Sequence, residues 1–155
     1  MTTFTTITEL LDQYHFKYEV KEHPPTPTSE DSARERGEPL KIGAKALVLK
    51  ADDTFLMAIV PGNRKIDSKK LKEILNVNAI RFATEEELFQ LTSLKPGAVP
   101  PFGNLFNLST IMEKSFLEEE YIAFNAGELT KSIKMKTKDF IELVKPSLNE
   151  FSMKK

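Results

Sequence analysis

Two apolar runs, Gly43-Ala44-Lys45-Ala46-Leu47-Val48-Leu49-Lys50 and Phe55-Leu56-Met57-Ala58-Ile59-Val60, are joined by a short Asp52-Asp53 connection. The second run is apolar on both faces, so the pair reads as a hairpin near the centre of a sheet. Side chains alternate along a strand, which puts Lys45 on the face of Leu47 and Leu49, with Ala44, Ala46 and Val48 opposite. An ammonium in such a place is costly unless it meets an anion, an acceptor or a solvated cleft. Lys45 is therefore expected to point into a pocket. A lysine that buries its stem and carries its head to water, or one that guards a strand end, fits the same pattern.

The rest of the chain breaks into short elements. Residues 5–15 have helical spacing, and at Phe16 the period changes to the alternation of Phe16, Tyr18 and Val20 with polar partners. His23-Pro24-Pro25-Thr26-Pro27-Thr28 is an extended loop, because three prolines remove ladder donors. Thr28 or Ser29 caps a short helix that runs through Arg36 and ends at Gly37. Pro61-Gly62-Asn63 is a turn, and Asp67 caps a helix bearing Leu71, Ile74 and Leu75. Residues 79–82 form a short strand, and Thr84-Glu85-Glu86-Glu87 opens a helix with a capping box. Lys95 to Asn104 is a rigid loop without helical or strand period. Leu105–Leu108, Tyr121–Asn125 and Leu129–Met135 are strand candidates, Thr137 caps a last helix, and residues 146–155 are expected to form a frayed tail. The order of elements predicts an α/β domain with a mixed sheet interrupted by short helices.

Composition narrows the chemistry. A chain of 155 residues that is 40% hydrophobic suits one domain with a real core. The N-terminal residues lack the start of a signal peptide, and no apolar run approaches the roughly 20 residues needed to span a bilayer, so a cytoplasmic protein without a membrane partner is expected. The absence of cysteine removes disulfides, zinc-thiolate sites and a cysteine nucleophile. With His15 and His23 the only histidines, no metal or cofactor is expected. His15 reads as a helix-end residue, whereas His23, before Pro24-Pro25, is a candidate for the site.

A formal net charge of -1 argues against a broad nucleic-acid surface but leaves room for local phosphate contacts. Arg34, Arg36 and Lys65 are candidates for these, although each basic cluster also reads as a solvated face.

Three irregular segments could meet the pocket side of Lys45: the His23–Thr28 loop, the Gly97-Ala98-Val99-Pro100-Pro101 loop, and Asn125-Ala126-Gly127. Glycine lets a ligand approach the main chain, and the prolines hold amide groups in place beforehand. Taken singly, Pro96-Gly97 is an ordinary turn and Asn125-Ala126-Gly127 an ordinary strand connection. There is no Gly-x-Ser-x-Gly elbow, phosphate-binding loop or His-Glu-x-x-His motif. A reaction here would not rely on a strong protein nucleophile; hydrolysis of an activated ester by positioned water remains open to it.

In combination, Ile42-Gly43-Ala44-Lys45-Ala46-Leu47-Val48-Leu49, Val60-Pro61-Gly62-Asn63-Arg64-Lys65-Ile66-Asp67 and Lys95-Pro96-Gly97-Ala98-Val99-Pro100-Pro101-Phe102-Gly103 resemble the YbaK family of aminoacyl-tRNA editing domains, also called prolyl-tRNA synthetase-associated domains. The resemblance extends from about His23 to Phe140. It implies a single α/β domain with a mixed, mostly antiparallel, barrel-like central sheet flanked by short helices. It also implies a free-standing deacylase that removes a wrong amino acid from tRNA, most often proline tRNA. The family's lysine role, near the tRNA 3′ end, carries to Lys45, and its Gly-x-x-x-Pro loop to Gly97 and Pro101. Hydrolysis would use bound water, the terminal ribose hydroxyl and main-chain donors, with no cofactor. His23, Ala98, Val99, Pro100, Asn125, Ala126 and Gly127 complete the expected substrate surface. The expected partner is the tRNA acceptor end, with a prolyl-tRNA synthetase or an elongation factor as possible helpers. A non-catalytic module that binds the aminoacyl-adenosine end and a synthetase-docking adaptor are the competing readings.

Overall fold

The hairpin at the centre of the sequence is also the centre of the computed structural model, which describes residues 1–26 and 28–155. Strands β2 (Ala44–Ala51) and β3 (Thr54–Pro61) pair antiparallel from Ala44↔Pro61 to Ala51↔Thr54. Asp52, at φ 50°, makes the tight connection. On β2, Ala44, Ala46 and Val48 face a larger core, and Leu47 and Leu49 face a smaller one. On β3, Met57 and Ile59 face the former while Leu56, Ala58 and Val60 face the latter. The hairpin is thus buried on both faces, which explains its nearly continuous apolar sequence.

This hairpin lies within a five-stranded sheet of order β5-β2-β3-β6-β9, with β5 Ile80–Phe82, β6 Ser109–Glu113 and β9 Ser147–Asn149. A second sheet has the order β1-β8-β7, comprising Tyr18–Glu22, Lys131–Lys136 and Tyr121–Glu128. A two-stranded ribbon pairs β10 (Ser152–Lys154) with β4 (Arg64–Ile66). The β3–β6 and β6–β9 pairings are parallel and the others antiparallel. The sheets do not close into the expected barrel. The two larger ones meet in a single bridge, Gly43↔Ala123, and β5 and β9 remain as edges.

Between the two larger sheets sits the main core. Phe102, Phe124 and Phe140 have no exposed surface, and Phe102 packs edge-on to both others at 5.4 Å between ring centroids. Such pairs add about 0.5–1.5 kcal/mol each beyond area burial. Helix α1 (Thr3–Gln13) contributes Ile7 and Leu11, and α5 (Thr137–Val144) contributes Phe140 and Val144. The smaller core, on the other face of the hairpin, takes Leu71 from α3 (Ser68–Leu75) and Phe151 from the C-terminal segment.

Local signals explain several boundaries. Thr28 caps α2 (Ser29–Arg36) through the Asp31 amide, and Gly37 ends it at φ 71°. Asp67 caps α3, and the Thr84–Glu87 capping box opens α4 (Glu85–Thr92).

Three expectations require correction. Leu105–Leu108 is not a strand: Gly103–Phe106 is a 3-10 turn closed by Asn107 at φ 60°, and the strand begins at Ser109. Thr137 is the first residue of α5 rather than its cap; its hydroxyl is buried without a partner among the described residues. The supposed tail beyond Pro146 forms β9 and β10, buries Phe151 completely, and donates the Phe151 amide to the Glu113 carboxylate at 3.0 Å. Pro27, part of the expected proline-rich loop, lies outside the described residues. No helix among the described residues is long and apolar enough to cross a membrane.

Candidate functional site

At the start of β2 a small open cleft of about 70 Å³ lies between α2, the β2–β3 hairpin and the Gly97 loop. Lys45, Gly97, Val99, Arg36 and Asn125 line it, together with Thr26, Thr28, Ser29 and Ser32; the Thr26 hydroxyl donates to the Leu129 carbonyl and that of Thr28 is engaged with Asp31. The cleft exists because small residues keep the backbone close. Gly62 donates its amide to the Gly43 carbonyl at 2.9 Å, and a Cβ on Gly62 would lie 2.9 Å from the Leu40 carbonyl oxygen.

Lys45 is half-buried and donates from Nζ to the Arg64 carbonyl at 2.9 Å. Burial, followed by the charge of Lys155, lowers its pKa to about 8, with Glu30 partly opposing. A desolvated ammonium with one carbonyl acceptor retains donors for a ligand anion.

The Gly97 loop is held from behind. Asn125 Nδ2 donates to the Gly97 carbonyl at 2.8 Å, and the Gly127 amide donates to the Ala98 carbonyl at 2.9 Å. Gly97 requires its φ of +85°, while Gly127, at φ +91°, is pressed against α1, where an added Cβ would approach Thr3 Cβ to 2.8 Å. Asn125 in turn accepts from Arg36 through Oδ1 at 3.1 Å. Guanidinium has only donors, so this contact fixes the amide orientation: oxygen toward Arg36, nitrogen toward Gly97.

Arg36 also donates from Nε to Ser132 Oγ at 2.9 Å, and His23 Nε2 lies 2.7 Å from the same hydroxyl. His23 Nδ1 is 2.9 Å from the Pro24 carbonyl. The Ser132 hydroxyl also lies 3.1 Å from Asn125 Oδ1, so its single proton can go to Asn125 or to His23 while its oxygen accepts from Arg36. Burial lowers the Arg36 pKa to about 10, partly offset by Glu38, which leaves it a permanent cation at neutral pH.

The three expected segments therefore converge, but their residues divide into two layers. Lys45, Gly97, Val99 and Asn125 line the cleft. His23, Ala98, Pro100, Pro101, Ala126 and Gly127 stand outside that lining; Ala98, Pro100, Pro101 and Ala126 are buried behind it. Of the expected tRNA contacts, Arg34 is exposed and paired with Asp31, and Lys65 is exposed on β4. Arg36 is instead turned inward into the network with Ser132 and Asn125. Phe102 and Met57 are fully buried core residues.

Sequence reasoning missed Ser132, the hub joining His23, Arg36 and Asn125, and the lining residues Ser29 and Ser32 on the α2 side. A buried serine between Lys131 and Ile133 is a signal only once its pairing is known: Ser132 lies opposite Asn125 on β7 and Lys21 on β1.

A family model described as aminoacyl-tRNA editing domain matches residues 23–143. The multifunctional Ser/Thr-tRNA deacylase ProXp-y of Escherichia coli strain K12 is 31% identical over 147 residues, covering 92% of this chain and 88% of that protein. The proline–tRNA ligase of Bacillus subtilis strain 168 is 36% identical over 59 residues, 38% of this chain and 10% of the ligase. A solved structure described as a candidate trans-editing enzyme for prolyl tRNA synthetase superposes with a TM-score of 0.85 at 22% identity, covering 99% of this chain and 98% of that one. At that identity the likeness concerns the fold.

Proposed function

The chain belongs to the aminoacyl-tRNA editing domain family, and from that premise we propose that it is a deacylase acting in trans on the ester of mischarged tRNA. The convergence of Lys45, the Gly97 loop and Asn125 on one cleft carries this reading. In the proposed reaction Lys45 holds a phosphate or the terminal adenosine of the acceptor end, a role suited to a flexible point charge. Water adds to the ester carbonyl, and main-chain donors of the Gly97–Val99 loop stabilise the oxyanion. The bond to the ribose oxygen then breaks, that oxygen takes up a proton, and free amino acid and uncharged tRNA leave.

The cleft lining contains no Asp, Glu, His or Cys among the described residues. That agrees with a reaction driven by positioned water and the substrate's own ribose hydroxyl. It also agrees with a module that binds without turnover, which the test below separates.

Val99 forms an apolar part of the wall, and the hydroxyl-bearing residues Thr26, Thr28, Ser29 and Ser32 complete its α2 side. Editing needs such a second sieve, because one methylene is worth only about 1–3 kcal/mol in a hydrophobic pocket. The relative named for Ser/Thr-tRNA makes seryl and threonyl esters the first candidates. Similarity to proline–tRNA ligases supports proline tRNA as a carrier to test.

The experiment is deacylation of proline tRNAs charged with alanine, cysteine, serine, threonine or proline, with serine and threonine also on their own tRNAs. Losing a charged hydrogen bond worth about 1.5–3 kcal/mol corresponds to a fall of roughly 10–100-fold for Lys45→Ala. Full activity in that variant would remove Lys45 from the mechanism. Saturable binding with ester loss no faster than buffer would replace the enzyme by a binding module.

A further inference from the structure

The ribbon formed by β4 and β10 brings a second cation to Lys45. Arg64 of β4 donates to Ser152 through Nε at 2.7 Å and to the Ser152 carbonyl through a terminal nitrogen at 2.8 Å. The carbonyl of the same Arg64 accepts the Lys45 ammonium, so one residue ties the ribbon to the cleft. Beyond β10, the Lys155 amide donates to the Asn63 carbonyl at 3.3 Å, and its side chain reaches Glu30 on the first turn of α2 at 3.1 Å. Glu30 sits between Ser29 and Ser32, both of which line the cleft.

The charges are mutually coupled. The Glu30 carboxyl is held below its ordinary range by its own backbone amide, then by Lys155 and, more weakly, by Lys45. Lys155 in turn opposes the charge on Lys45. Two ammonium groups thus share one side-chain carboxylate beside the cleft. Glu30 and Lys155 keep 53% and 40% of their side-chain surface exposed. An ion pair so open to water is weak and readily exchanged.

We propose that Lys45 and Lys155 together seat a phosphodiester of the tRNA 3′ end, and that Glu30 holds Lys155 in register as a stand-in anion until that phosphate displaces it. The inference rests on the deacylase reading for the identity of the ligand. Lys155 is in this view a positioning residue: it neither touches the ester nor acts on water, and it fixes the strand so that the ester falls beside the Gly97 loop.

The test measures binding of an uncharged acceptor-stem RNA with a single-stranded 3′ tail across a salt series, using wild type, Lys155→Gln, Lys155→Arg and Glu30→Gln. Each neutralised phosphate in a single strand contributes about 0.7 to the slope of log affinity against log salt. Lys155→Gln is expected to lower affinity roughly 3–10-fold at low salt and flatten the slope by about that amount. Lys155→Arg should retain both, and Glu30→Gln should tighten binding by roughly 2-fold as the competing anion is removed. With charged tRNA, the Lys155→Gln loss should fall on KM more than on kcat.

Unchanged affinity and slope in Lys155→Gln, or weaker binding in Glu30→Gln, would overturn the proposal. If wild type hydrolyses no charged tRNA while the slope change persists, the deacylase reading falls and the phosphate seat stands.

Discussion

Asn125 offers a direct test of how the Gly97 loop is held, because two of its substitutions should separate stability from turnover. Its Oδ1 accepts from the part-buried Arg36 guanidinium and from the Ser132 hydroxyl, each at 3.1 Å, and its Nδ2 donates to the Gly97 carbonyl at 2.8 Å. Asn125→Ala deletes all three, leaving an inward-facing cation short of an acceptor, while the freed Ser132 hydroxyl still has His23 Nε2 at 2.7 Å. A hydrogen bond to a charged group is worth about 1.5–3 kcal/mol and a neutral one about 0.5–1.5, so a loss of roughly 2–4 kcal/mol is expected. Against a total stability of about 5–15 kcal/mol that is readily measured. The chain has no tryptophan, so urea unfolding is best followed by far-ultraviolet circular dichroism. Asn125→Asp keeps, and charges, the acceptor for Arg36 but sets a carboxylate oxygen against the Gly97 carbonyl. Stability should stay within about 1 kcal/mol of wild type. The loop should shift, and a displacement near 1 Å can cost about 100-fold in rate. That loss should appear in kcat, whereas simple repulsion of tRNA would raise KM. An aspartate variant with wild-type kcat would refute the view that Asn125 sets the reacting geometry of the loop. An alanine variant as stable as wild type would show that the Arg36 network contributes nothing measurable.

The lowered pKa of Lys45 predicts that kcat/KM, corrected for spontaneous ester loss, falls as pH rises through about 8; a flat profile to pH 9 would contradict it. The stability sign is opposite: between about 8 and its ordinary 10.5 the unfolded chain binds more protons at this residue, so its contribution to stability rises with pH, as unfolding measured on Lys45→Met against wild type would reveal. Gly127→Ala must place a Cβ 2.8 Å from Thr3 Cβ at φ +91°. Left-handed strain and overpacking together should cost about 2–4 kcal/mol, seen as an earlier urea midpoint. Gly97→Ala meets only the flexible end of Leu129 at 3.1 Å, and should lose about 1–2 kcal/mol while impairing deacylation more than Gly127→Ala does. Phe151→Ala should destabilise by about 3–5 kcal/mol through the cavity it opens beneath α3; a loss under 1 kcal/mol would mean the C-terminal segment is not part of the core.

What could be read from sequence follows the range of the interaction. Helix α2 was legible at both ends because Thr28 and Gly37 act within a few residues of what they cap, and the Thr84–Glu87 box is equally local. The three-residue strands β4, β9 and β10 carry no useful period, and β10 finds β4 more than 80 residues away, so no local signal announces either. Leu105, Phe106 and Leu108 share the composition of a buried strand. What decides against it is a close approach unseen in the sequence: a Cβ on Gly103 would lie 2.0 Å from Thr110 Oγ1, which lets the turn fold back over β6. The barrel expectation failed for a similar reason, since closure depends on edges meeting and the larger sheets share only the Gly43–Ala123 bridge.

For the site, alternation on β2 singles out Lys45 as a cation that needs an explanation, but leaves a lysine that merely carries its head to water equally compatible; only the surrounding motifs point to a pocket. Alternation alone does not say what the cation meets. Its carbonyl partner comes from β4 and its neighbouring charges from α2 and from beyond β10. The same distinction separates Arg36 from Arg34. They are two positions apart on one short helix, about 200° around its axis, so their side chains leave on nearly opposite faces. Arg34 meets water and Asp31, while Arg36 enters the sheet interface to hold Asn125 and Ser132. A basic pair on a short helix therefore does two jobs. If Arg36 positions the loop and Arg34 only samples solvent, Arg36→Gln should reduce both stability and kcat. Arg34→Gln should change neither by more than about 2-fold or 0.5 kcal/mol, the range of an exposed pair. Equal effects of the two substitutions would mean that net charge near the cleft, rather than the inward hydrogen bonds of Arg36, governs the reaction.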